Sequence, residues 1–100
     1  MILSLADPEE ASRSLGGRVR ALRLLEEWTR DTLARRAGVS TASLKRFETT
    51  GKASLMLVLK VAHALGRLDE FDGLLGPPAA RSMAELERQT LTSPRSRGRR

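Results

Sequence analysis

The stretch from Thr29 to Glu48 constrains the fold more than any other part of the chain. Thr29 has the chemistry of a helix N-cap, and Leu33, Ala34 and Ala37 follow at helical spacing, so a short helix over Arg30–Ala37 is predicted. Gly38 can adopt the left-handed backbone that ends such a helix, and Val39 then turns inward. Ser40 caps a second short helix over Thr41–Glu48, whose inward pair is Leu44 and Phe47 at i,i+3. Two helices of two to three turns, joined by so short a turn, must approach closely. Ala34 is small enough for the crossing, Val39 plugs the turn, and Leu44 and Phe47 anchor the second helix. These are the steric requirements of a helix-turn-helix. Anchored so, the second helix presents Thr41, Ala42, Lys45 and Arg46 outward.

The flanking segments read as further short helices. Asp7-Pro8-Glu9-Glu10 has a cap, a proline suited to the first turn and an acid three residues on. Gly16-Gly17 is expected to weaken or break whatever begins there. Helix 1 is therefore placed from Arg18 to Trp28, on Val19, Leu22 and either Leu24 or Leu25. Thr49-Thr50-Gly51-Lys52 reads as a loop. Ser54 caps a fourth helix to Leu65, with Leu55, Val58, Leu59, Ala62 and Leu65 inward, and Gly66 stops it. Leu68, Phe71, Leu74 and Leu75 predict a short fifth helix before the Gly76-Pro77-Pro78 boundary. Beyond it Ser82–Glu85 has a capping-box pattern opening a weak helix over 82–90, and Ser93–Arg100 has the composition of a disordered basic tail. The expected domain spans 1–76, with its core at 18–66, and 77–100 is an extension.

Composition agrees with packed helices. The chain has 100 residues, 40% of them hydrophobic and only 3% aromatic, so Leu, Val and Ala must fill a single modest core. Cysteine is absent, which excludes disulfides, thiolate metal sites and a thiol nucleophile. No apolar run reaches the roughly 18–20 residues that cross a bilayer, and the first residues lack the basic start of a signal peptide. A cytoplasmic, nucleoid-associated protein is the expectation.

The formal charge is +6, which favours a polyanionic partner. Its distribution matters more. Arg18, Arg20, Arg23, Arg30, Arg35, Arg36, Lys45, Arg46 and Lys52 face only Glu26, Glu27, Asp31 and Glu48 over the same span. A second basic concentration ends the chain at Arg88, Arg95, Arg97, Arg99 and Arg100.

Nothing in the sequence carries catalysis, so no enzyme, cofactor or metal is expected. His63 has no ligand at metal-binding spacing and reads as a surface residue. Asp69, Glu70 and Asp72 lack calcium-loop spacing and read as a solvated acidic face. The hydroxyl-rich Ser40–Ser43 has no paired base and reads as a cap. Trp28 reads as core packing, and Arg18, Arg20, Arg35 and Arg36 as solvated helix faces. Met56 and Leu57 widen the apolar surface of helix 4, either as broader core or as a contact for a second copy or another partner.

Arg20-Ala-Leu-Arg23, Trp28–Ala34, Ala37-Gly38-Val39-Ser40, Leu44–Glu48 and Ser54-Leu55 resemble, in order and spacing, the Cro/cI-type (XRE) helix-turn-helix family from about Arg18 to Gly66. The resemblance implies an all-α, five-helix lambda-repressor-like domain that binds double-stranded DNA as a homodimeric transcriptional repressor. It puts Thr41, Ala42, Lys45 and Arg46 on the positions that read bases. Arg30, Ser40, Thr50 and Lys52 fall on positions that meet phosphate, and Arg23 can add a phosphate contact. Arg23 and Glu48 match an ion pair between helix 1 and the end of helix 3; exposed, such a pair contributes only ~0–1 kcal/mol. Two positions depart from the pattern. Arg30 stands where the family usually has Gln, and Ala42 offers a base nothing beyond methyl contact with thymine. The segment from Ser54 to Leu75, with Pro77-Pro78 and the Arg-rich end, resembles the HipB-like subgroup, antitoxins that repress their own operon and bind a HipA-type kinase toxin. A stand-alone regulator without a toxin and an RNA- or ribosome-associated basic protein are the alternatives.

Overall fold

The computed structural model describes residues 7–78 and Glu87. The predicted helix 82–90, apart from Glu87, and the tail Ser93–Arg100 lie outside the described residues. The described residues form four α-helices and no strand: α1 Pro8–Leu25, α2 Arg30–Ala37, α3 Thr41–Thr50 and α4 Leu55–Ala64, followed by one 3-10 turn at Leu68–Phe71. None of these helices is long and apolar enough to cross a membrane.

Each helix starts on a side-chain cap. Asp7 Oδ1 accepts from the Glu10 amide at 2.8 Å, Thr29 Oγ1 from Thr32 at 3.1 Å, Ser40 Oγ from Ser43 at 3.0 Å and Ser54 Oγ from Leu57 at 3.1 Å. Such a cap contributes about 1 kcal/mol by satisfying an amide that the helix itself leaves unpaired. Three of the helices stop through a left-handed residue whose successor folds back onto the last turn: Trp28 N donates to Arg23 O, Val39 N to Ala34 O and Arg67 N to Ala62 O. Glycine supplies that conformation at Gly38 and Gly66, whereas α1 uses Glu27, at φ 61°.

The glycine pair does not break α1, which runs unbroken through Gly16 and Gly17 and begins ten residues before the predicted start at Arg18. The reason is packing. A Cβ on Gly16 would lie 2.2 Å from the Phe47 carbonyl oxygen, so the missing side chain lets α1 rest directly on the backbone of α3. Gly51, at φ 82°, makes the reciprocal approach: a Cβ there would lie 2.6 Å from Arg13 N and Ser12 C. α3 runs two residues beyond its predicted end and stops at the left-handed Gly51, whose amide donates to Phe47 O; on that last turn the hydroxyls of Thr49 and Thr50 donate to the carbonyls of Lys45 and Arg46.

Val19, Leu33, Ala34, Leu44, Phe47, Leu57, Val58 and Val61 form the core, with Leu15, Trp28, Ala37, Val39, Leu65 and Phe71 packed around it. The inward face of α4 keeps the predicted Val58 and Ala62, with Leu65 packed against the core, but gains Leu57 and Val61 and loses Leu55. Leu57, Val58, Val61 and Ala62 are buried, while Leu55 is 69% exposed. Leu55 to Leu59 is apolar all round, so periodicity alone could not pick the face. Leu57 is accordingly a core residue and no free partner contact; Met56 remains exposed at 59%. The fifth helix reduces to the 3-10 turn, and Leu75, at φ 63°, is 98% exposed. Gly73, Gly76 and the two prolines leave too little chain for a helix there.

Candidate nucleic-acid interface

α2 and α3 are set by what lies beneath them. Leu33 and Leu44 are fully buried, and Phe47 and Ala34 nearly so. Between them Gly38 takes φ 75° and ψ 34°, and the half-buried Val39 packs against the core. With Leu44 and Phe47 pointing down, the opposite side of α3 faces outward. Thr41, Ala42, Lys45 and Arg46 are all exposed on it. Ser40 sits at the N-terminus of α3, its Oγ donating to Ser43 Oγ at 2.8 Å. At the other end Thr50 Oγ1 donates to Arg46 O at 2.6 Å and accepts from Lys52 N at 3.1 Å. That arrangement fixes the exposed Lys52 one residue beyond Gly51. Short side chains therefore open the free face and long basic ones close it.

Behind this face lies a charged cluster. Arg23 Nε and Nη2 donate to Glu48 Oε2 and Oε1 at 2.8 and 3.0 Å, and its Nη1 donates to the Trp28 carbonyl at 2.8 Å. Arg30 Nε donates to Glu48 Oε1 at 2.9 Å. The Glu48 side chain is wholly buried, so a single carboxylate serves two guanidinium groups. This corrects one expectation: the Arg23–Glu48 pair is buried rather than exposed, with Arg23 itself 6% exposed. Arg30 is held on Glu48 but keeps 30% of its side chain accessible at the first residue of α2. Where a glutamine would offer an amide, this arginine ties the start of α2 to the end of α3.

Thr41 Oγ1 lies 2.6 Å from Asp31 Oδ1, a link between α2 and α3 that sequence patterning did not expose. The two residues are ten apart, each in the first turn of its own helix, where neither helical periodicity nor composition signals a contact. Arg23, Thr29, Arg30, Asp31, Thr41 and Lys45 line an open hollow of about 520 Å³. Arg36 is exposed, as expected, and its guanidinium also lies over the Trp28 ring, 4.5 Å from the centroid. Arg35, Arg18, Arg20 and His63 are exposed. No group of three or more His, Asp or Glu side chains suited to a metal ion occurs among the described residues.

Two short helices joined through a left-handed glycine, the second pinned on its apolar side with its polar side free, define a helix-turn-helix unit. A family model described as a helix-turn-helix domain matches residues 14–72, and the chain belongs to that family of DNA-binding regulators. No curated protein and no solved structure matches the chain.

Proposed function

We propose that the chain is a sequence-specific repressor of the Cro/cI type, which lays α3 in the major groove of double-stranded DNA. The observation that carries this reading is the exposure of Lys45 and Arg46 on a helix whose opposite face is locked into the core by Leu44 and Phe47. Short residues at the start of such a helix let it enter the groove, and long basic ones a turn later reach guanine edges. In this reading Thr41, Ala42, Lys45 and Arg46 meet bases. Ser40, Thr50, Lys52 and the accessible part of Arg30 meet phosphates. Arg23 positions Glu48 and Arg30.

The protein would act as a homodimer on a near-palindromic operator with half-sites about 34–36 Å apart. The resemblance of Ser54–Leu75 to HipB-like antitoxins supports a narrower context, repression of its own operon beside a HipA-type kinase toxin. Selection from random duplexes tests DNA binding, symmetry and specificity together. Enrichment of a two-fold symmetric site carries the reading, and a preference for structured RNA over every selected duplex overturns it. Copurification with the product of a neighbouring kinase-like gene tests the antitoxin context separately.

A further inference from the structure

We infer that Asp31 is a specificity-determining residue: with Thr41 it forms a pair that offers only hydrogen-bond acceptors, and so selects an amino-bearing base, cytosine or adenine, on the strand it faces. The inference rests on the DNA-binding reading above and adds to it the chemical class of one base.

A carboxylate accepts and cannot donate, so the proton in the 2.6 Å Thr41–Asp31 hydrogen bond belongs to the threonine hydroxyl. Alone, a threonine hydroxyl turns to donate or accept and suits either kind of base. With its proton committed to Asp31, Thr41 keeps only lone pairs for a third party. Asp31 Oδ1 and Oδ2 add more acceptor capacity beside it. Both side chains are exposed, where water would satisfy each separately, so folding does not require the pair. A negative charge here also opposes binding to the DNA backbone, a cost that discrimination between bases offsets.

Among the major-groove edges, only cytosine N4 and adenine N6 present donors; guanine O6 and N7 and thymine O4 present acceptors. Acceptors facing acceptors, with no water between, leave both unpaired. Lys45 lies one turn further along the same side of α3 and lines the same hollow, with donors only. The free face therefore changes polarity along its length: acceptors at Thr41 and Asp31, donors at Lys45 and Arg46.

The experiment selects duplexes from a random pool with the full 100-residue chain and with Asp31→Ala, both checked for unchanged melting. For the wild type, cytosine or adenine should exceed guanine and thymine by about tenfold at one position of each half-site. In Asp31→Ala that ratio should fall to near unity, preferences elsewhere in the site should persist, and binding to random duplex should stay equal or tighten. An unchanged ratio at every position in Asp31→Ala overturns the inference while leaving DNA recognition standing. So does a wild-type preference for guanine or thymine at the position the variant alters. If the wild type enriches no sequence at all, the DNA-binding reading falls and the role of Asp31 falls with it.

Discussion

Arg23 and Glu48, twenty-five residues apart, meet side by side with two hydrogen bonds of 2.8 and 3.0 Å, and Glu48 has no solvent-accessible side-chain surface. A buried ion pair contributes little net stability against an apolar replacement, yet losing one partner strands the other charge in a poor solvent. Glu48→Ala should therefore destabilise the domain by about 3–5 kcal/mol. Arg23→Met combined with Glu48→Leu should be much less harmful than Glu48→Ala. Urea unfolding of Glu48→Ala, Arg23→Met, Glu48→Leu and the Arg23→Met, Glu48→Leu double checks this, and a double loss equal to the sum of the Arg23→Met and Glu48→Leu losses would show that the pair is not coupled.

Gly16 and Gly17 are neighbours in one helix with opposite surroundings. Gly16→Ala would drive a methyl group into the Phe47 carbonyl and should cost about 3 kcal/mol. Gly17 is exposed with no atom within 4 Å of a built Cβ, so Gly17→Ala should stabilise by ~0.5–1 kcal/mol through reduced freedom of the unfolded chain. Thermal melts of the two variants should shift in opposite directions. Shifts of the same sign would contradict the close approach of α1 and α3.

Glu27 holds a left-handed backbone that glycine adopts without strain, and its side chain is exposed. Glu27→Gly should raise stability by up to about 1 kcal/mol. A drop in melting temperature would mean that the carboxylate makes a contact worth more than the backbone strain.

Under the proposed function, Arg46→Ala should weaken binding to the selected operator by about 1–3 kcal/mol and to random duplex far less. Lys52→Ala should weaken both alike and reduce the salt slope by about 1. Gel-shift titrations at several salt concentrations separate the two behaviours. Equal losses on both duplexes for Arg46→Ala would show that it reads no base.

The parts of this molecule legible in its sequence are those that local chemistry decides. Asp7, Thr29, Ser40 and Ser54 cap helices because their side chains reach amides three residues on. Gly38 reverses the chain by its own conformational freedom, and Leu33, Ala34, Leu44 and Phe47 fall inward by spacing. What was hidden depends on distant partners. Gly16 looks like a breaker until the Phe47 carbonyl is brought against it. The inward face of α4 was ambiguous because five consecutive apolar residues have no preferred side, and packing chose Val61 and Leu57. Arg30 and Asp31 are ordinary first-turn residues by pattern; their links to Glu48 and Thr41 arise only when α2 and α3 cross.

The meeting of Gly16 with Phe47 joins main chain to main chain, so the seat of α3 does not depend on any side chain that α3 shows to solvent. Thr41, Ala42, Lys45 and Arg46 can then be exchanged freely, like the cut of a key on an unchanged shank. Related chains could diverge in what they grip while sharing one way of standing up.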